Sequence, residues 1–370
     1  MKPIKIVSTQ QSNILEIRWH PNNVCNYSCE YCWPGSHDGD YPSPKNLDLI
    51  IKNFNHMVDH YKAQLGKNKI HLKMGGGEPT LWKDLGRFIE EVKKENDIYF
   101  TIISNGSRTL RWWKEYGHLI DNAHLSFHIA QADADHMIAV ADTLFEFGKK
   151  VTVKVLMDRK HWQKGLDTID YMKKNSKHKW FIMTSEVIEP ETLKIAGIRV
   201  VSDTDIQLTP SQKGFLKNPL KRIPSLLWFL KNIKLVFEGQ IRLFESVAYF
   251  DNNKKLKAKT NTYINKGWTS FQGWSCDIGL ENVYIDWAGS IQGSCGQTLY
   301  GLEYNFNILD EDFVENFNPE LKPSVCAIKN CFCVPETHVS KFDLSNRNVS
   351  STSTVIPITD HRLFINTKSP

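Results

Sequence analysis

The sequence predicts an α/β fold with a parallel sheet, followed by a smaller, cysteine-rich α+β domain. Strand and helix patterns alternate six times between residues 13 and 188. Serial βα units of this kind form parallel sheets with right-handed crossovers. The eight cysteines fall into a group of three in residues 25–32 and a group of five in residues 276–333. Two separate cysteine groups indicate two separate sites.

Each predicted element of the first half has its own pattern. The strands are short runs rich in β-branched and aromatic residues, at 13–19, 70–74, 98–103, 123–129, 151–157 and 180–188. The helices between them, at 44–65, 84–94, 110–119, 132–147 and 165–173, place apolar residues on one face. In the second of them, Leu85, Phe88 and Val92 share that face.

The regular alternation ends after Pro190. Residues 191–224 indicate turns and short strands, and residues 226–244 one helix and one strand. The predicted domains are therefore 14–215, 216–336 and a polar tail at 337–370, which is rich in Ser, Thr and Asn.

Composition excludes several classes of protein. An apolar fraction of 41% and a charged fraction of 24% are typical of a soluble globular protein. The net charge is only +5 and the basic residues are dispersed, which predicts no nucleic-acid partner. No apolar run is long enough for a membrane span and no signal peptide is evident, so we expect no membrane partner. Eight cysteines without a secretory signal predict metal ligation in a reducing cytoplasm.

The first candidate site is the CxxxCxxC sequence formed by Cys25, Cys29 and Cys32. Three thiolates within eight residues can converge on one soft metal centre. They provide three ligands where a closed tetrahedral site needs four. Two interpretations remain open: a [4Fe–4S] cluster with one open iron, or zinc with His20 or His37 as fourth ligand.

The second candidate element is the turn Gly76-Gly77-Glu78-Pro79, which follows the predicted strand 70–74. Glycine lets a backbone approach another group closely, and proline stiffens the chain. The Glu78 carboxylate can accept hydrogen bonds from an ammonium group. A strand-to-helix turn would also use Gly and Pro without any ligand.

Together, the two motifs resemble those of the radical S-adenosylmethionine (SAM) enzymes over about residues 14–187. Their order and the 43 residues between Cys32 and Gly76 are typical of that family. The resemblance implies a partial, six-stranded (β/α)6 TIM-like barrel and a SAM-binding [4Fe–4S] cluster on the three cysteines. It also implies that Tyr31 packs near the adenine, that the turn from Gly76 to Pro79 binds the SAM amino group, and that Ser104 and Asn105 form the polar turn after the third strand.

Four further residues are candidates for contact with SAM or substrate because they lie at or near predicted strand ends. Ser126 and His128 belong to the fourth strand, Lys154 to the fifth, and Arg159 follows the fifth. Ligands bind at the carboxyl ends of strands in such sheets. The alternatives are a core histidine at His128, a lysine reaching to solvent at Lys154 and an exposed loop arginine at Arg159.

The second cysteine group predicts a closed four-thiolate site. Residues 283–291 read as a hairpin whose ends would bring Cys276 and Cys295 together. Cys326, Cys331 and Cys333 add a compact group, so one of the five thiols is spare. This arrangement resembles the twitch or shortened SPASM extension of some radical SAM enzymes, which implies one auxiliary [4Fe–4S] cluster. Structural zinc is the alternative.

The resemblance implies a SAM-dependent oxidoreductase-like enzyme that removes hydrogen from a substrate carbon. A flavodoxin- or ferredoxin-like protein would donate the electron, and the substrate would be a peptide or a small sugar or cyclitol. The competing hypotheses are a zinc-binding interaction protein and an inactive family member, and the presence of Glu78 and all three cysteines of the first group argues against the latter.

Overall fold

A computed structural model describes residues 2–32, 35, 37–187, 211–212, 245–258, 262–263, 266–292, 306–326, 331 and 338–346. The elements predicted for residues 191–244, the boundary at 215, and residues 347–370 of the predicted tail lie outside these residues. So do Cys295 and Cys333.

The described strands are β1 Lys5–Ser8, β2 Ile14–Trp19, β3 Lys69–Met74, β4 Ile98–Ser104, β5 Asn122–His128, β6 Lys150–Met157, β7 Phe181–Glu186, β8 Ser246–Tyr249, β9 Lys255–Ala258, β10 Trp274–Cys276, β11 Asn282–Ile285, β12 Ile291–Gln292, β13 Ser324–Val325 and β14 Lys341–Asp343. The helices are α1 Leu47–Leu65, α2 Leu85–Glu95, α3 Leu110–Tyr116, α4 Ala134–Glu146, α5 Trp162–Asn175 and α6 Phe313–Asn316.

An eight-stranded sheet contains all six predicted strands, in the order β12-β11-β2-β3-β4-β5-β6-β7. The pairs from β4 to β7 are parallel. Helices α1 to α5 connect β2 to β7 in chain order, which confirms the predicted α/β class and the alternation of six strands with five helices. The strand order is linear, so the sheet is an unclosed, partial barrel.

Alternation along β6 separates an apolar face from a polar one. Val151, Val153, Val155 and Met157 are buried. Lys154, on the other face, lies directly opposite Ser126 of β5. Successive side chains of a strand point to opposite faces, so the polar face of β5 and β6 carries these two candidate residues together.

A second, six-stranded sheet runs in the order β13-β10-β14-β1-β8-β9. Two of its strands, β1 and β14, lie where the sequence predicted no strand. Strand β1 precedes the predicted start of the first domain, and β14 lies within the segment predicted as a polar tail. Both strands are short, and their partners are distant in sequence, because Ile6 pairs with Lys341 and with Ala248. Such strands carry little periodic signal.

The chain divides into two compact units, and this division differs from the predicted domains. One unit comprises residues 1–18, 48–71 and 232–370, and the other comprises residues 19–47 and 72–231. The units are discontinuous, whereas the predicted domains are continuous segments.

The predicted hairpin is present, but it does not hold Cys276. Strands β11 and β12 pair antiparallel, with Ile285 opposite Ile291. Cys276 instead ends β10, where it lies opposite Ser324 of β13. The chain turns at Asp277, whose carbonyl accepts the N–H groups of residues 280 and 281, before the hairpin begins. The structure therefore brings Cys276 towards Cys326 through the pairing of β10 with β13.

Among the described residues, no helix combines the length and the apolar character that crossing a lipid bilayer requires.

Candidate active site

The first cysteine loop is fixed to the end of β3 by the backbone. The N–H groups of Gly77 and Glu78 donate to the carbonyls of Asn22 and Val24, at 3.1 and 2.8 Å. Gly76 has a φ of +117°, and a Cβ placed on it would lie 2.6 Å from the Asn22 carbonyl oxygen. The glycines therefore make room for the backbone that leads into Cys25.

Glu78 is almost fully buried, with 1% of its surface exposed. Its Oε1 accepts from the Thr80 N–H at 3.0 Å, the Thr80 hydroxyl at 2.6 Å and the Ser104 hydroxyl at 2.8 Å. Its Oε2 accepts from the Asn105 N–H at 2.7 Å. Burial raises the pKa of this carboxyl, and the four donors act in the opposite direction. Glu78 thus ties the end of β3 to the end of β4.

Asn105 continues this connection to the cysteine loop. Its side-chain Nδ2 lies 3.5 Å from the Cys25 Sγ and donates to the Asn26 Oδ1 at 3.0 Å. Asn26 in turn donates to the Ser107 hydroxyl at 2.9 Å. The polar turn that the sequence placed after the third strand therefore contacts the cysteine loop directly.

A third anchor comes from the end of β5. The His128 Nδ1 lies 3.1 Å from the Cys29 Sγ and 2.9 Å from the Tyr31 hydroxyl. The Tyr31 and His128 rings stack with centroids 5.8 Å apart. Gln131 accepts from the Ser28 N–H and points its Nε2 at the Cys29 Sγ, at 3.1 and 3.7 Å. The loop is thus held by the ends of three successive strands.

A pocket with a volume of about 140 Å³ opens beside this anchor. It is lined by Ser28, Cys29, Glu30, Tyr31, His128, Ala130, Gln131, Asp158, Lys160 and His161. Asp158, at the end of β6, is buried and accepts the His161 N–H at 2.7 Å, and its carboxylate lies 3.0 Å from the His161 Nδ1. Asp158, His161 and Gln131 were not among the site residues predicted from the sequence, although each is a polar residue just past a predicted strand.

The donor set of this loop fits a soft metal centre. Burial raises the pKa of the Cys25 thiol, and it raises that of Cys29 to about 12, with further contributions from Cys32 and Cys25. The Tyr27 N–H donates to the Cys25 Sγ at 3.4 Å, as expected for a site that stabilises a thiolate. Metal binding would displace the thiol protons.

Within the described residues, no three His, Cys, Asp or Glu side chains lie close enough to enclose a metal ion. Binding a metal centre would therefore require the three thiols to come closer together. The loop already joins the three thiols through one short backbone segment, in which the Cys32 N–H donates to the Cys29 carbonyl at 2.9 Å.

The remaining candidates occupy different environments. Pro79 begins a 3-10 turn, Pro79–Leu81, behind the site. Lys154 is partly buried, and burial lowers its pKa. His128 is also partly buried, and burial lowers its pKa to about 4 and favours the neutral ring. Arg159 is exposed.

The structure describes three cysteines of the second group, and all three are buried in one apolar cluster. Cys276, Cys326 and Cys331 lie there with Phe271 and Trp274. The Cys326 N–H donates to the Trp274 carbonyl at 2.8 Å, which holds the segment after β13 against β10. Thiols are soft donors of the kind that thiolate-bound metals use, but these three do not converge closely enough in the structure to enclose a metal ion. Burial raises the pKa of the Cys276 thiol to about 12.

Comparison with known proteins gives the class of the segment that contains the first cysteine loop. Residues 19–192 match the family model described as the radical SAM superfamily. Enzymes of this superfamily use a [4Fe–4S] cluster and SAM. Residues 19–192, just under half of the chain, are therefore a radical SAM segment.

Matches to individual curated proteins cover a smaller part of the chain than the family model does. A GTPase Obg from Brachyspira hyodysenteriae is 36% identical over 105 residues, which are 28% of this chain and 15% of the relative. A GTP 3',8-cyclase from Pasteurella multocida is 28% identical over 146 residues, 37% of this chain and 40% of the relative. Both alignments thus span less than half of the relative's length.

Among solved structures, anSMEcpe with bound AdoMet and a Cp18Cys peptide has a TM-score of 0.47 and 17% identity, over 82% of this chain and 80% of that one.

Proposed function

We propose that this protein reductively cleaves SAM and uses the resulting radical to remove a hydrogen atom from a substrate carbon. Cys25, Cys29 and Cys32 would hold the [4Fe–4S] cluster that, once reduced, supplies this chemistry. The observation that carries the proposal is the anchoring of the cysteine loop to the ends of β3, β4 and β5 within a segment that matches the radical SAM model.

In this proposal, the residues around the loop have two kinds of role. The buried Glu78 and Asn105 position the loop, since both are already hydrogen-bonded to the protein. The backbone of the Gly76–Gly77 turn and the side chain of Tyr31 remain the proposed contacts for the amino group and the adenine of SAM. His128, next to Cys29, would orient Tyr31.

Substrate would approach from the pocket and from the polar face of β5 and β6. Ser126 and Lys154 line that face, and Arg159 stands outside it. We propose a peptide or a small sugar or cyclitol as the substrate. A flavodoxin- or ferredoxin-like protein would donate the electron, and no nucleic acid or membrane would take part.

The second cysteine group would hold one auxiliary [4Fe–4S] cluster that accepts an electron from the substrate radical. Cys276, Cys326 and Cys331 would be three of its ligands, because they share one buried cluster. The fourth would come from Cys295 or Cys333. The outcome would be a net oxidation of the substrate.

The test is the simultaneous replacement of Cys25, Cys29 and Cys32 by Ala. Protein reconstituted with iron and sulfide without oxygen is assayed for formation of 5′-deoxyadenosine from SAM and a strong reductant. We expect activity in the parent and none in the triple variant. Lys174→Ala, at an exposed position of α5, serves as the control and should keep the activity, because Lys174 does not line the pocket. A parent that binds zinc and forms no 5′-deoxyadenosine would support a zinc-binding interaction protein instead.

A further inference from the structure

A buried carboxylate lines the pocket beside the first cysteine loop. Asp158 follows β6 directly, and only 3% of its surface is exposed. It is one of the residues around the cavity of about 140 Å³. Buried charged groups are normally paired or fully hydrogen-bonded, because removing them from water is costly. The partners of this carboxylate therefore indicate whether it has capacity left for a ligand.

The described hydrogen bonds of Asp158 all go to one residue, His161. The Asp158 Oδ1 accepts the His161 N–H at 2.7 Å and lies 3.0 Å from the His161 Nδ1. The Asp158 Oδ2 lies 3.1 Å from that same ring nitrogen, so the two oxygens share one ring proton. An ionised carboxylate can accept about four hydrogen bonds. Within the part of the chain that the structure describes, Oδ2 thus lacks a donor of its own.

His161, which also lines the pocket, adds a second acceptor next to the first. A carboxylate cannot donate, so the ring proton lies on Nδ1, between the ring and Asp158. The other ring nitrogen, Nε2, is an acceptor in the neutral ring, and it has no hydrogen-bond partner among the described residues. The start of α5 at Trp162 needs only the bond from the His161 N–H to Oδ1. Oδ2 and Nε2 therefore remain available to a ligand.

Two neighbouring acceptors favour a ligand that brings two donors close together. Hydroxyl groups on adjacent ring carbons do so, whereas successive N–H groups of an extended peptide point to opposite sides. The cavity is also smaller than the roughly 300–1,000 Å³ of pockets that enclose a whole ligand, so it suits a single ring. The stacked rings of Tyr31 and His128 line it as well, and they offer an aromatic surface to the C–H face of such a ring.

From this geometry, we propose that Asp158 and His161 bind two neighbouring hydroxyl groups of the substrate and select a sugar or a cyclitol over a peptide. The inference rests on the proposed function and narrows its substrate class. The pair binds and orients the ring, and no proton transfer is assigned to it. The ribose of SAM carries the same pair of hydroxyl groups, so the test must separate the two sources.

The test measures binding to the full-length protein reconstituted with iron and sulfide, and it needs no turnover. Saturation-transfer NMR follows myo-inositol and cis-1,2-cyclohexanediol, which carry hydroxyl groups on adjacent carbons, and cis-1,3-cyclohexanediol, which does not. Each titration is made with and without saturating SAM. Asp158→Asn removes the charge, His161→Phe removes both ring nitrogens, and Asp170→Asn, at an exposed position of α5, is the control.

We expect the parent and the Asp170 variant to bind myo-inositol and the 1,2-diol several-fold more tightly than the 1,3-diol, with and without SAM, because a site that hydrogen-bonds a hydroxyl group discriminates against a ligand that lacks it. Asp158→Asn and His161→Phe should each weaken myo-inositol binding roughly tenfold, because each removes one acceptor of the hydroxyl pair. His161 is only partly buried, so its variant decides the outcome if the Asp158 variant does not fold.

Equal binding of the two diols would overturn the inference, as would unchanged myo-inositol binding in either folded variant or a parent that binds none of the probes. Displacement of myo-inositol by SAM would also overturn it, and would assign the hydroxyl contacts to the ribose of the cofactor. Failure of the proposed function appears separately, as a parent that forms no 5′-deoxyadenosine, and the binding measurements do not depend on that reaction.

Discussion

At the scale of single residues, Glu78 shows how the structure refines a motif. The sequence placed its carboxylate against the amino group of SAM. In the structure, both carboxylate oxygens accept hydrogen bonds from the protein, and their donors include backbone N–H groups from two different turns. The side chain connects the turns that form the site. Its loss should therefore lower the stability of the fold more directly than it weakens SAM binding.

Glu78→Gln should lower the free energy of unfolding by about 1–3 kcal/mol. Whichever way the amide is oriented, its NH2 group faces a backbone N–H, either that of Thr80 or that of Asn105. The measurement is urea unfolding of the metal-free protein, with the exposed Glu30→Gln as control. Unchanged stability together with weaker SAM binding would favour direct contact with SAM instead.

A histidine on the polar face of β5 should make stability depend on pH. Burial lowers the pKa of His124 to about 4, and Lys154 and Lys73 add to the effect. The unfolded chain binds a proton near the ordinary pKa of about 6.5, whereas the folded chain does not. The stability that the neutral His124 ring allows is therefore complete above pH 6.5. The free energy of unfolding then falls as the pH drops from 6.5 towards 4.

Between pH 7 and pH 5, the free energy of unfolding should fall by roughly 1–2 kcal/mol more in the parent than in the His124→Asn variant. Urea midpoints at the two pH values measure this. His118→Asn, which changes an exposed histidine, should leave the pH dependence as it is. Equal slopes for the parent and the His124 variant would contradict the prediction.

At the scale of elements, the glycine turn after β3 packs closely against the backbone that leads into the cysteine loop. A Cβ on Gly77 would collide with the backbone of Val24, immediately before the first cysteine. Gly75, two residues earlier, has ordinary space: a Cβ there would lie 3.6 Å from the Ile103 Cβ. The two positions make a matched pair within one turn.

Gly77→Ala should displace the cysteine loop and lower the iron content of the first site at least several-fold after reconstitution, because backbone atoms cannot move aside as a flexible side chain can. Gly75→Ala should bind iron like the parent. Iron analysis should be made in a background with Cys276, Cys326 and Cys331 replaced, so that only the first site is counted. Normal iron in the Gly77 variant would show that the loop can adjust.

The βα units could be predicted from the sequence because the patterns that indicate them are local. Apolar periodicity marked β2 to β7 and α1 to α5 within a few residues of their bounds, and the two motifs marked the ends of β3 and β4. The pairing of β1 with β14 could not be predicted, since strands of four and three residues have no periodicity of their own. The contacts of Gln131 with the cysteine loop depend on a strand end about 100 residues away.

At the scale of the whole molecule, the second sheet depends on the N-terminal strand. Ile6 is fully buried in β1, which pairs with β14 and β8. Val7 points to the opposite face and is only partly buried. A fragment that starts at the predicted domain boundary near residue 215 would lack one of the inner strands of this sheet.

Ile6→Asp should therefore abolish iron binding at the second site, because an unpaired carboxylate in this position is too costly to bury. Val7→Asp should retain the iron. Both are measured in the Cys25/Cys29/Cys32→Ala background. Full iron in the Ile6 variant would mean that β1 is dispensable for the site.

The pairing of Ile6 with Lys341 also sets an order of events during synthesis. A ribosome must translate more than 300 further codons before β1 meets this partner, whereas β2 to β7 are complete once residue 186 has emerged. Domains generally fold as units while the chain is still growing, and contacts between distant residues form late. The first cysteine loop can thus fold early, while β1 remains without its β14 partner. The metal site proposed at the second cysteine group can form only when translation is nearly finished.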